Sequence, residues 1–177
     1  TLLEKNGYHT YATMDKWSTK IGFSSFFKDG LYEYDRTKMN LFDGLDKEIL
    51  EKFWKAIAHA NKFVTFNGRG FDCPVLMLRS AMLKVKPSKN LVPYRYSTDQ
   101  HIDLLEQLTF YSAARKFNLD FYCKAFGIKS PKSGGVTGHD VKPLFESGEY
   151  EKIARYCAGD LWATRELYLR WREYMSF

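Results

Sequence analysis

Two short segments of this 177-residue sequence carry side chains that can do chemistry together. One is Asn67-Gly-Arg-Gly-Phe-Asp72 and the other is Tyr156-Cys-Ala-Gly-Asp160. Asp72 and Asp160 offer carboxylate oxygens, the donors that hard divalent cations prefer. Tyr156 and Asp160 stand four residues apart, so on a helix they share one face about a turn apart, and a phenol and a carboxylate can point into one cleft. Each residue alone has an ordinary explanation. An Asp at a helix start is usually a cap, and a Tyr in a core usually has a satisfied hydroxyl. Together they offer carboxylates and a phenol of the kind that can hold hard cations in a cleft.

The elements that must position these residues follow from pattern. Lys62 to Phe66 is a short β-rich run that predicts a buried strand, and Asn67 to Gly70 turns the chain. A helix is expected from about Phe71 to Leu83, with Asp72 and Pro74 in its first turn. A long amphipathic helix from about Tyr150 to Tyr174 carries Tyr156 and Asp160. Upstream, residues 20–27 and 31–35 read as a hairpin around Lys28-Asp-Gly30. Asp46 can cap a helix through about Ala60 whose apolar positions include Ile49, Leu50, Phe53, Trp54 and Ile57. Residues 84–100 read as a Lys- and Pro-rich loop. Asp103 is read as the cap of a helix through about Tyr111, and Asn118 as the cap of the helix bearing Phe121, Ala125 and Phe126. A mobile stretch is expected over 127–139 and a short helix from Asp140. Strands, a helix, a strand and several helices in this order predict an α/β domain with a mixed sheet, antiparallel at first and parallel later.

The two segments resemble the second and third motifs of the DEDD superfamily of 3′–5′ exonucleases. Longer stretches, Phe66 to Leu76 and His101-Ile-Asp-Leu-Leu105, resemble the predicted exonuclease family related to the proofreading domain of family B DNA polymerases. The likeness runs from about Lys20 to Leu169. It implies a ribonuclease H-like mixed sheet flanked by helices, with residues 1–177 forming a single exonuclease-like domain. It implies an enzyme that hydrolyses phosphodiester bonds at the 3′ ends of single-stranded DNA or RNA with two Mg2+ or Mn2+ ions. Asp160 would bind the ion that activates water, Asp72 would help hold the second, and Tyr156 would orient the attacking water; the three are expected to line one cleft. Asn67, Arg69 and Phe71 are the expected substrate-binding residues. Arg155 stands where the histidine branch of the superfamily has His, so the chain fits the tyrosine branch, DEDDy. Polymerases and replication or repair proteins are the partners such a domain would meet.

The superfamily also uses Asp-x-Glu on its central first strand. Asp46-Lys-Glu48 has the right letters but lies at a helix start, where acidic residues are ordinary. Glu33-Tyr-Asp35 is reversed. Two accounts are open. In one, the domain is N-terminally incomplete, the pair lies upstream of Thr1, and enzymatic activity is conditional on it. In the other, residues 9–14 form the first strand without the carboxylates, leaving an inactive domain that binds nucleic acid or protein. The first is favoured, because a strand lacking its neighbour leaves buried amides unpaired at about 1–3 kcal/mol each.

Composition fits either account. The net charge is +6 and the pI about 9.1, which suits a polyanionic partner through counterion release but also serves solubility. The 14 Phe and 12 Tyr can fill a core or stack on unpaired bases. Lys129, Lys132 and His139, with Arg69, are either phosphate guides or solvated loop charge. Three widely spaced cysteines, Cys73, Cys123 and Cys157, make no disulfide framework, so a cytoplasmic or other reducing compartment is expected. No apolar run is long enough to span a bilayer.

Overall fold

A computed structural model describes residues 36–130 and 140–176, with the side chains of 36–46 and of Lys142 outside that description. The expected hairpin at 20–35, the strand at 9–14, and Lys132 and His139 lie outside the described residues. The chain divides into two compact units, with the boundary between Asp103 and Leu104.

The first unit opens with helix α1 (Arg36–Ile57). It begins ten residues before the cap read at Asp46. Asp43-Gly44 looks like a turn in sequence, yet a helix tolerates a single Gly at a cost of about 1 kcal/mol. Leu50, Trp54 and Ile57 recur at helical spacing and are buried. The Trp54 indole N–H donates to Ser80 Oγ at 2.8 Å, and Ser88 Oγ donates to the Trp54 carbonyl at 2.7 Å. A buried indole is thereby satisfied while its ring seals α1 against the next helix. Strand β1 (Phe63–Thr65) leads through the 67–70 turn into α2 (Asp72–Met82), which buries Cys73, Leu76 and Ser80 along one face.

Strand β2 (His101–Asp103) lies parallel to β1, with Phe63 opposite His101, Val64 opposite Ile102 and Thr65 opposite Asp103. Such a strand–helix–strand unit with a short parallel pair agrees with the α/β class read from the sequence; the antiparallel part of the expected mixed sheet falls outside the described residues. Two expectations are corrected. β1 is half-buried, and it is β2 that is buried at every position. The sequence reading assigns no strand to residues 101–103 and places Asp103 at the start of a helix, whereas the three form a strand. A strand of three residues is too short to show alternation, and pairing with β1 creates it.

In the second unit, α3 (Leu104–Leu108), α4 (Leu119–Ala125) and α5 (Val141–Glu146) each pack on the long α6 (Tyr150–Tyr174). Ile153, Ala163, Leu167 and Trp171 give α6 its buried stripe. Asn118 caps α4 as its type predicts, accepting the Phe121 amide at 2.9 Å. α3 stops short of the expected Tyr111, because Phe110, Tyr111 and Ser112 all have positive φ (49°, 57° and 78°). The Tyr111 amide instead closes back to the Glu106 carbonyl at 2.7 Å and the Ala114 amide to Thr109 at 2.9 Å. Among the described residues, no helix is long and apolar enough to cross a membrane, and no disulfide joins the cysteines.

Candidate functional site

The turn that delivers Asp72 is built against β2. Asp103, only 2% exposed, accepts the Asn67 amide on one carboxylate oxygen at 2.9 Å and the Arg69 amide on the other at 2.8 Å. Asp103, read as a helix cap and standing directly before α3, thus also reaches back with both oxygens to the neighbouring strand's exit. Charge-assisted bonds of this kind are about twice as strong as neutral ones. Asn67 adopts φ of 62°, a left-handed conformation that Asn tolerates better than most residues. Gly68 is required by close approach: a Cβ there would sit 2.5 Å from the Thr65 side chain. The Gly68 carbonyl then accepts the Cys73 amide at 2.8 Å, which starts α2 and places Asp72 in its first turn, where the helix dipole favours a carboxylate. Asp72 Oδ1 is shielded from solvent.

Beneath the turn, His101 is 1% exposed. Its Nδ1 faces the Leu91 carbonyl at 3.1 Å and its Nε2 faces Thr65 Oγ1 at 2.8 Å. A carbonyl only accepts, so Nδ1 carries the proton and Nε2 accepts the Thr65 hydroxyl. Burial, aided by the positive charge of Arg69 and opposed by the Leu91 bond, lowers the His101 pKa to about 4, so the ring is neutral at physiological pH. Burial chiefly, then the charges of Asp72 and Asp103, raise the Cys73 thiol to about 12. Cys73 is therefore a packing residue and not a nucleophile. The Arg69 guanidinium donates to the Pro93 carbonyl at 2.8 Å and the Tyr94 carbonyl at 3.4 Å, tying the turn to the loop before β2. Asn67 is exposed, and Phe71 is half-buried.

Tyr156 and Asp160 belong to the second unit. Both lie on α6 and are half-buried. Thr164 Oγ1 donates to the Asp160 carbonyl at 2.8 Å, one turn on. Beside them on α4 is Cys123, whose thiol is raised to about 11 by burial first and then by Asp120 and Asp160. The charges of Asp120 and Asp160 thus act on the same thiol. Asp120 also receives Lys124 Nζ at 2.9 Å and the Ser130 hydroxyl. Arg155 is exposed and reaches Glu151 through Nε at 3.1 Å and Nη2 at 2.7 Å. Lys129 is exposed.

The chain's sequence from residue 26 to 176 matches the model of a family described as a predicted 3′–5′ exonuclease related to the exonuclease domain of PolB. The chain belongs to this family. The matched span contains both segments in the order the exonuclease resemblance requires, along with His101 and Asp103. No curated protein and no solved structure matches the chain.

For a member of this exonuclease-related family, the donor chemistry at Asp72 and Asp160 suits a hard cation. Among the described residues, however, no three His, Cys, Asp or Glu gather into a group able to hold a metal ion. The described side chains alone therefore do not complete a metal site. The sequence's one Asp-x-Glu triplet, Asp46-Lys-Glu48, falls inside α1, where exposed Glu48 pairs with Lys52 at 2.5 Å.

Sequence reasoning missed Asp103 as the organiser of the turn, and Asp120 as a second charge that acts, with Asp160, on Cys123. The match of His101-Ile-Asp-Leu to the family was the available signal for the first. For the second there was none, since Asp120 sits in the first turn of α4, where acidic residues are common.

Proposed function

We propose that the protein is a 3′–5′ exonuclease of the tyrosine branch, with a ribonuclease H-like domain, acting on single-stranded DNA or RNA ends. One observation carries the reading: the family match over residues 26–176 includes both motif segments in order. The buried Asp103 clasp on the Asn67–Arg69 turn supports it, because a preorganised turn before Asp72 is what a reacting carboxylate needs.

In this reading Asp72 and Asp160 hold divalent ions, Mg2+ or Mn2+, together with carboxylates beyond those described. Such ions would acidify the attacking water and offset charge on the leaving oxygen. The Tyr156 hydroxyl orients that water, one helical turn from Asp160. Asn67 and Phe71 face the substrate from the turn, and Arg69 braces the turn through its carbonyl contacts. Protonated Cys73 and Cys123 fill space beside the two carboxylates without competing as ligands.

The test is shortening of a 5′-labelled single-stranded oligonucleotide by the protein's full natural chain. A ladder receding from the 3′ end with Mg2+ or Mn2+, abolished by chelator, is expected. Absence of cleavage, or cleavage that resists chelator, overturns the reading. A second reading is favoured by the placement of Asp46-Lys-Glu48 on a helix: a domain of the same family that binds nucleic acid or protein without cutting. Oligonucleotide binding without turnover would select it.

A further inference from the structure

From Cys73 to Thr98 the chain has no Asp or Glu, while Arg79, Lys84, Lys86, Lys89 and Arg95 fall within it. Near the end of this stretch Tyr94 and Tyr96 are 72% and 59% exposed. Their rings meet edge to face, with centroids 5.7 Å apart and planes at 66°. Both rings remain largely open to solvent in that arrangement. The Phe117–Phe121 pair of the other unit contrasts with it, being stacked at 4.0 Å and 16° so that each ring hides a face of the other.

The exposed rings stand on an anchored backbone. Arg69 holds the Pro93 and Tyr94 carbonyls, and the Ser97 amide closes a turn to the Tyr94 carbonyl at 3.2 Å. On the inner side Leu91 is buried, and its carbonyl accepts the His101 ring proton. Leaving two rings in water on a segment held this firmly lowers the entropy cost of binding a flat partner. The same Arg69 is part of the turn that leads to Asp72, so the rings stand next to the candidate site.

We propose that Tyr94 and Tyr96 form a stacking platform for unpaired bases of a single-stranded nucleic acid, with Lys and Arg side chains of the same stretch meeting its phosphates. Every base has a π face, so such a platform binds without regard to sequence. The acid-free basic stretch supplies the complementary charge for the strand. The platform's place beside a reacting 3′ end rests on the exonuclease reading, whereas its affinity for bases does not.

The experiment measures binding of the full natural chain to a fluorescein-labelled oligodeoxythymidylate and to an abasic strand of equal length, in chelator so that no turnover occurs. The unsubstituted protein should prefer the base-bearing strand. Tyr94→Ala with Tyr96→Ala should weaken that binding about tenfold or more and leave the abasic strand unaffected. The paired Tyr→Phe changes should retain binding, and the paired Tyr→Leu changes, which keep apolar bulk without a ring, should lose it. Equal affinity of the unsubstituted protein for both strands overturns the platform. So does full binding by the Leu variant, which would mark an apolar docking surface for protein. Base-selective binding with no nuclease activity in Mg2+ or Mn2+ would retain the platform and overturn the exonuclease reading alone.

Discussion

In the turn before Asp72, the Asn67 and Arg69 amides are held by a carboxylate 36 and 34 residues further along the chain. From Tyr156 to Asp160, the backbone is set by α6 itself, a 25-residue helix anchored at Ile153, Ala163, Leu167 and Trp171. The two motif segments thus reach their conformations by opposite routes. One is a left-handed residue, a crowded glycine and a buried charged clasp, each of which fails singly. The other is a regular helix whose geometry survives most single changes. The lesson is that the turn concentrates its dependence on a few distant groups, and the helix spreads it over many local bonds.

Chemistry gives the largest expected effect. In the full natural chain, Asp160→Ala should lower the cleavage rate about 10³-fold or more, equivalent to roughly 4 kcal/mol of transition-state stabilisation. The helix should persist, so circular dichroism and oligonucleotide binding should hold. Tyr156→Phe should cost less, since it removes only water orientation. If Asp160→Ala leaves turnover intact, Asp160 is an ordinary helix residue.

The clasp should come next. Asp103→Ala strands two amides beside a buried site and should destabilise the protein by about 3 kcal/mol. Asp103→Asn, which keeps one acceptor oxygen, should cost about half of that. Urea titration followed by tryptophan fluorescence reports both, with Trp54 in the same unit as the probe. A loss under about 0.5 kcal/mol for Asp103→Ala would mean that water replaces the carboxylate and that the turn is not held as described.

Acid offers a third way to separate the regions. The His101 pKa of about 4 lies below its ordinary value. The folded state therefore favours the neutral ring. The contribution is complete above about pH 6.5 and is lost as pH falls from there toward 4, amounting to on the order of 3 kcal/mol. His101→Gln should flatten the stability profile across that window. An unchanged slope would show that other groups govern acid sensitivity.

The smallest expected effect belongs to the second unit. Asn118→Ala removes the cap on α4 and should cost about 1 kcal/mol, with Asn118→Ser restoring most of it. An effect as large as that of Asp103→Ala would erase the contrast between local and distant support.

The sequence by itself determined the elements with enough residues to display a period or a cap. α6 was legible from Tyr150 to Tyr174, α2 from Asp72 onward, and α4 from Asn118, because helix spacing and capping are encoded within a few residues. The pairing of Tyr156 with Asp160 on one helical face follows from the same locality, and the motif types were enough to expect the exonuclease family. Only the tertiary structure decided what lies across the chain. It made His101–Asp103 a strand by setting it beside Phe63–Thr65, gave Asp103 the 67–70 turn to clasp, and brought the charges of Asp120 and Asp160 to bear on Cys123. It also gave Arg69 its carbonyl partners, which no count of basic residues predicts. These features depend on hydrogen bonds and burial between residues far apart in sequence. A short strand or a single carboxylate carries no local pattern that distinguishes such a partner from solvent.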